Sequence, residues 1–256
     1  MALPSPFPPE FSGQICILVA ALCIGLTKAG FSGFSLVAIL LMAQVYPAKE
    51  STGAVLPMLI LADLMAIGAY RKHVDWQELW RLLPATVLGL LAGWVLLDRI
   101  PGVIYGRVLG WMILCMMLLL LWQKLDRRVL GTVLKELLQH PLLATFSGFL
   151  AGVTTMMANA GGPAMTFHLL ARNFDKMTFV GTCAWFFFFT NLAKVPLSLG
   201  LGLITRSSLL LDLLLLPAIA LGMVAGRFLL GRVSQSLFET LALLMAVAAA
   251  LRLILG

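Results

Sequence analysis

The chain has 256 residues, of which 61% are hydrophobic and 11% are charged, and its mean hydropathy is +1.01. Soluble globular domains carry about 25% charged residues, so this composition excludes a soluble protein and predicts an integral membrane protein. The length suffices for about eight to ten spans of roughly 20 residues, without a separate soluble domain. The net charge of +7 does not indicate nucleic-acid binding, because the basic residues stand mostly at the ends of apolar segments.

The apolar segments fall into two sets of five. The first set covers 14–26, 33–46, 51–70, 79–97 and 103–122, and the second covers 142–157, 162–171, 177–200, 207–230 and 235–255. The first two segments of each set are shorter than a span of about 20 residues, and glycine interrupts the chain between them. We predict an all-α polytopic membrane protein whose two pseudo-symmetric repeats each begin with short broken or re-entrant helices. The single membrane domain, 1–256, then consists of repeat 1 (about 13–122), a cytoplasmic link (about 123–140) and repeat 2 (about 141–256).

One pattern occurs in both predicted repeats. Leu83-Pro84-Ala85, followed by Gly89 and Gly93, recurs 133 positions later as Leu216-Pro217-Ala218, followed by Gly222 and Gly226. Interrupted hydrophobic segments at corresponding positions of two repeats are typical of a transporter binding site. The pattern therefore favours a protein that moves a solute across the membrane.

The distribution of lysine and arginine predicts the orientation of the repeats. These residues accumulate in short cytoplasmic loops, and eleven of the 18 lie on one side of the membrane if the central link is cytoplasmic. Both termini are then outside and the repeats are inverted, as in many transporters with alternating access. If each broken pair makes a single crossing, the repeats are parallel instead, and the charge pattern leaves this alternative open.

Two lysines fall inside apolar segments. Lys28 directly precedes the first glycine break, and Lys194 lies in the long segment 179–199. An ammonium at membrane depth costs several kcal/mol, so these lysines predict a binding site for an anion. The alternative is that either side chain extends along the helix to the membrane surface.

The two glycine breaks supply further candidate ligands. Gly30 and Ser32 belong to the first break, and Asn159, Gly161 and Gly162 belong to the second. A broken helix frees backbone N–H groups and points a partly positive helix N-terminus into the membrane, where a small oxyanion would satisfy them. Close packing of helices through small residues is the alternative explanation.

Asp63 and His168 are candidates for coupling transport to a proton. Asp63 is the clearest carboxylate inside a predicted span, and it corresponds to Asn191 when the two repeats are superposed. It could carry a proton or simply pair with a lysine. His168 could titrate near neutral pH or serve as a structural hydrogen-bonding residue.

We expect neither a metal site nor a cofactor. The four cysteines lie in apolar segments with no CxxC pair, and no histidine has metal-ligand spacing. The aromatic run 185–189 is expected to face lipid or to pack between helices, without a role in the site.

An intramembrane serine protease is the rival interpretation. Gly30-Phe31-Ser32-Gly33 matches the GxSG motif of rhomboid proteases, and His168 on a later segment would be the base. The small residues that pack the rhomboid histidine helix are missing after His168. A protease also leaves the two-fold repeat unexplained.

The chain resembles the sulfite exporter TauE/SafE family of bacterial membrane proteins. The resemblance covers about 13–256 and is most specific at Asn159-Ala160-Gly161-Gly162-Pro163 and around Pro84 and Pro217. It implies export of sulfite, sulfoacetate or other organosulfonates by two pseudo-symmetric halves in the bacterial inner membrane. The chain has Phe31 and Ser32 where many members have further glycines.

The sequence thus predicts a secondary transporter that exports a small sulfur-containing anion by alternating access. Its partners would be that anion and the lipid bilayer, with no nucleic acid. An anion channel is the main alternative. The sequence leaves open which anion is moved, whether a proton is coupled, and whether the chain forms a homodimer.

Overall fold

The computed structural model describes residues 10–31, 34–46, 48–99 and 140–255, together with positions 107, 111, 114, 115 and 118. Most of the predicted segment 103–122 and of the link at 123–140 lies outside these residues, as do Ser32 and Gly33. Within the described part the chain is helical and contains no strand, which confirms the predicted all-α class.

The helices follow the predicted segments closely. They are α1 (Phe11–Lys28), α2 (Phe34–Val45), α3 (Ala48–Ala54), α4 (Leu56–Tyr70), α5 (Trp76–Arg99), α6 (Pro141–Ala158), α7 (Gly162–Ala171), α8 (Lys176–Gly200), α9 (Arg206–Leu214), α10 (Leu216–Arg232) and α11 (Gln235–Leu255). By length and composition, four stretches of the described chain can cross a membrane: Phe11–Lys28, Ser51–His73, Trp76–Leu97 and Lys176–Gly200. The bent pair α9 and α10 makes a fifth.

The first helix is longer than the sequence predicted. Helix α1 has 18 residues and qualifies as a membrane span, so the prediction that segment 14–26 is too short was wrong. The apolar pattern stops before Lys28, but the helix continues to it because Lys28 finds its counter-ion inside the protein. The short second segments are confirmed, since α2 has 12 residues and α7 has 10.

Two predicted segments are each divided into two helices. Segment 51–70 is interrupted at Val55, and segment 207–230 bends by 49° at Leu215. A proline follows in the first turn of the next helix in both cases, where its missing N–H is tolerated. Pro84, by contrast, lies inside the continuous helix α5.

Glycines bring two pairs of helices into close contact. Helix α1 crosses α10 where Gly25 and Gly222 meet, and a Cβ atom at Gly222 would collide with the carbonyl oxygen of Leu22. Helix α5 crosses α6 in the same way through Gly89 and Gly152. Small residues allow backbones to approach this closely in membrane proteins. Helices α4 and α8 also pack against each other.

Asp175 defines the start of the longest helix. Its carboxylate accepts hydrogen bonds from the backbone N–H groups of Met177 and Thr178, and from the Thr178 hydroxyl at 2.5 Å. Burial opposes ionisation of this carboxyl group, but the hydrogen bonds outweigh burial and lower its pKa. The cap sets where α8 begins and so helps to position the side chains further along this helix.

Candidate functional site

A cavity of about 40 Å³ lies where the two helix breaks meet α8. Its volume is about three times what one buried water needs, which suits a small ion. Polar and apolar groups line it together: Thr27, Lys28, Gly30, Ser35, Leu59, Thr155, Asn159, Gly162, Phe179, Val180, Cys183, Ala184, Phe187 and Asn191.

The first break follows α1 and requires glycine. Gly30 has a φ angle of 107°, a conformation that residues with a Cβ atom rarely adopt. A Cβ atom there would also lie 2.6 Å from the Val180 side chain. This turn ends α1 at Lys28, beside the cavity. Ser32, the other predicted ligand of this break, lies outside the described residues.

The second break separates α6 from α7. Asn159 ends α6 in the left-handed conformation, with a φ angle of 52°. Helix α7 then begins at Gly162, and Pro163 occupies its first turn as predicted. Gly162 lines the cavity, whereas Gly161 faces Thr155 and the Ala151 carbonyl. The N-terminus of α7 therefore lies at the cavity.

Lys28 forms a buried ion pair with Asp63. Its Nζ atom lies 2.6 Å from Asp63 Oδ1, and the two side chains are 6% and 0% exposed. Asn191 donates a 2.7 Å hydrogen bond to the other carboxylate oxygen, so the two positions that correspond between repeats are in contact. Lys28 Nζ also lies 5.0 Å from the centre of the Phe187 ring, within the range of a cation–π interaction.

Lys194 is held by neutral groups only. Its Nζ atom donates to the Thr155 carbonyl oxygen at 2.8 Å and to Asn159 Oδ1 at 2.5 Å. Asn159 in turn donates to the Thr52 carbonyl oxygen at 3.1 Å. Lys194 is only 2% exposed, so its ammonium does not reach the protein surface. No carboxylate among the described residues forms an ion pair with it.

His168 belongs to a separate cluster. Its Nε2 atom lies 2.8 Å from Glu78 Oε1, which also accepts from Arg172 at 3.2 Å. This cluster joins α7 to the start of α5, and His168 does not line the cavity. The structure therefore brings together Lys28, Gly30, Asn159, Gly162, Lys194 and Asp63, but not His168.

The sequence interpretation missed Phe187, Asn191 and Cys183 as cavity residues. The prediction that the aromatic run has no part in the site was wrong at Phe187, which lines the cavity, while the neighbouring Phe186 is fully buried. A signal was present: 183, 187 and 191 are spaced by four, and 194 follows by three, which places them along one helix face.

Residues 17–253 match the family model described as Sulfite exporter TauE/SafE. The chain belongs to the TauE/SafE family. Membership confirms the family expected from the sequence and, with the apolar helices, identifies an integral membrane protein of a transporter family. TauE/SafE membership also favours transport over the protease interpretation. No curated protein and no solved structure matches the chain.

Proposed function

We propose that this TauE/SafE protein exports a small sulfur-containing anion, such as sulfite, sulfoacetate or a related organosulfonate, by alternating access. The observation that carries the proposal is the meeting of Lys28 and Lys194 at one cavity. One lysine comes from each predicted repeat. Each contacts groups beside a helix break, the first at Gly30 and the second at Asn159.

The chemistry of the cavity supports an anion as the cargo. Buried ammonium groups are costly in a membrane protein unless an acceptor or a negative charge compensates them. The N-terminus of α7 adds partial positive charge at Gly162, and Thr27 and Ser35 bring hydroxyl groups to the lining. A cation would meet two lysines and one carboxylate that is already paired.

Reciprocal helix packing supports alternating access by inverted repeats. The first helix of each predicted repeat packs against the helix that follows the Leu-Pro pattern of the other, as α1 on α10 and α6 on α5. The third segments, α4 and α8, also contact each other, with Asp63 hydrogen-bonded to Asn191. Two related halves around one central site can exchange their packing and so open the site to either side.

We place the transporter in the bacterial inner membrane, where the potential is negative inside. That field favours outward movement of an anion by about 2.3 kcal/mol per charge per 100 mV, so uniport needs no coupling ion. Coupling remains a second route, because a proton on Asp63 would release Lys28 to bind the cargo. An anion channel would share the cavity but would show neither saturation nor counterflow.

Counterflow in proteoliposomes tests the proposal. Vesicles loaded with unlabelled sulfite, sulfoacetate, sulfate or chloride are diluted into the labelled anion, and its accumulation is measured. We expect accumulation with a sulfur anion, and its loss in Lys28→Met, Lys194→Met and Asn159→Ala. Lys72→Met, a change at an exposed lysine on the 3₁₀ turn Arg71–His73, is the matched control and should behave as wild type. Flux without counterflow would identify a channel, and no flux of any anion would contradict the proposal.

A further inference from the structure

We infer that the cavity selects anions of a single negative charge, and that Asp63 sets this limit. The inference rests on the proposed anion site and specifies its cargo by charge. It follows from the number of fixed charges around the cavity, taken over the residues that the structure describes.

Lys28 already has its counter-ion. Asp63 lies 2.6 Å from the ammonium and is fully buried, and Asn191 holds the second carboxylate oxygen at 2.7 Å. Both partners come from helices whose backbones are fixed by packing, so the carboxylate is a permanent part of the site. The pair as a whole contributes no net charge to the cavity.

Lys194 has no such counter-ion. An ammonium has three N–H donors, and Lys194 uses two of them on the Thr155 carbonyl and on Asn159 Oδ1. Both acceptors are neutral, and both residues line the cavity. Lys28, Asp63 and Lys194 together therefore leave one positive charge, with a donor still available to a bound anion.

A monoanion neutralises this charge and a dianion does not. A dianion would leave one uncompensated negative charge in a buried, largely apolar cavity, which costs several kcal/mol. We expect discrimination of about 100-fold or more against dianions. Phe179, Val180, Leu59 and Phe187 make the rest of the lining apolar, so a sulfonate with a short alkyl group fits better than one with a second acid group.

Methanesulfonate and sulfate are the matched probes, because they are similar tetrahedral ions that differ by a methyl group in place of a charged oxygen. Binding of each to purified protein in detergent is measured by calorimetric titration, at a mildly acidic pH that keeps both ions fully ionised. We expect wild type to bind methanesulfonate about 100-fold more tightly than sulfate. In Asp63→Asn the cavity charge rises to two, and this preference should fall at least about tenfold because sulfate binding improves.

The double variant Lys28→Met/Asp63→Asn separates charge from contact. It removes the ion pair but keeps the single positive charge on Lys194, so it should retain methanesulfonate binding and the wild-type preference. The single variants Lys28→Met and Lys194→Met bring the cavity to zero net charge and should lose both ions. If Asp63→Asn does not fold, the double variant and these two single variants carry the test.

The outcomes distinguish the inference from the proposed function. Sulfate binding equal to methanesulfonate binding in wild type, or an unchanged preference in Asp63→Asn, would overturn selection by charge while leaving an anion transporter. Loss of methanesulfonate binding in the double variant would show that Lys28 itself is the required ligand, and would also overturn it. No binding of any anion, with no counterflow, would remove the proposed function as well.

Discussion

Two carboxylates buried in the membrane helices have opposite surroundings. Asp63 is 0% exposed and has both an ion pair with Lys28 and a hydrogen bond from Asn191. Asp212 is 1% exposed, and neither of its oxygens has a hydrogen-bond partner. A satisfied and an unsatisfied buried carboxylate should respond in opposite ways to substitution.

We predict that Lys28→Met lowers the free energy of unfolding by about 3–5 kcal/mol, because it leaves Asp63 buried without its counter-ion. Lys28→Met/Asp63→Asn should recover most of this loss, because both charges are then absent. Thermal unfolding in detergent measures the three proteins, with Lys72→Met as the control for loss of a lysine. A double variant less stable than the single variant would contradict this prediction.

A second prediction concerns Asp212. Asp212→Leu should leave the unfolding temperature unchanged or raise it, since the substitution removes a buried polar group that has no partner. Asp63→Leu, measured beside it, should lower the unfolding temperature. An equal loss in both variants would show that Asp212 has a partner in the native protein.

At the scale of helices, glycine determines which helices can touch. Gly222 and Gly89 are 133 positions apart and hold equivalent places, each with the backbone of a helix from the other predicted repeat against it. These contacts fix α1 and α6, the helices that end at the two breaks. The geometry of the cavity therefore depends on the crossings.

We predict that Gly222→Leu prevents α1 from packing on α10, because the new side chain would meet the backbone of Leu22. The expected result is an unfolding temperature well below wild type, together with aggregation on size-exclusion chromatography. Gly231→Leu on the same helix is the matched control, because its Cβ atom would meet nothing within 4 Å. Equal behaviour of the two variants would show that the crossing is not required.

At the scale of the whole molecule, the two predicted repeats depend on each other. Helix α1 packs on α10, α5 packs on α6, and α4 packs on α8, so each repeat buries its helices largely against the other. The Glu78 cluster adds polar contacts between them through His168 and Arg172. Neither repeat has a complete core of its own.

We predict that a chain cut within 123–140 reassembles when both parts are expressed together. A tag on the first part should recover the second part from detergent extracts, and each part alone should aggregate. The recovery should be lost when Gly152→Leu and Gly222→Leu are combined in the second part, since these changes block both crossings. A first part that purifies alone as a folded protein would contradict this prediction.

The sequence by itself determined the class of protein, the positions of most helices and the two breaks. These features are local: an apolar run, a glycine or a proline acts through its own backbone and through contact with lipid. Lys28, Lys194 and Asp63 also stood out, because charge is rare in apolar segments. Even so, the sequence placed the end of α1 too early, since it could not show that Lys28 is paired.

The tertiary structure alone decided which of these groups act together. Asp63 and Asn191 are 128 residues apart, and Lys194 and Asn159 are 35 apart. Their pairing depends on the rotation and register of packed helices, which no local pattern specifies. Phe187 shows the same limit, because one aromatic residue of a run enters the cavity while its neighbour packs in the core. Helix packing, not composition, sets the charge that the cavity offers to its cargo.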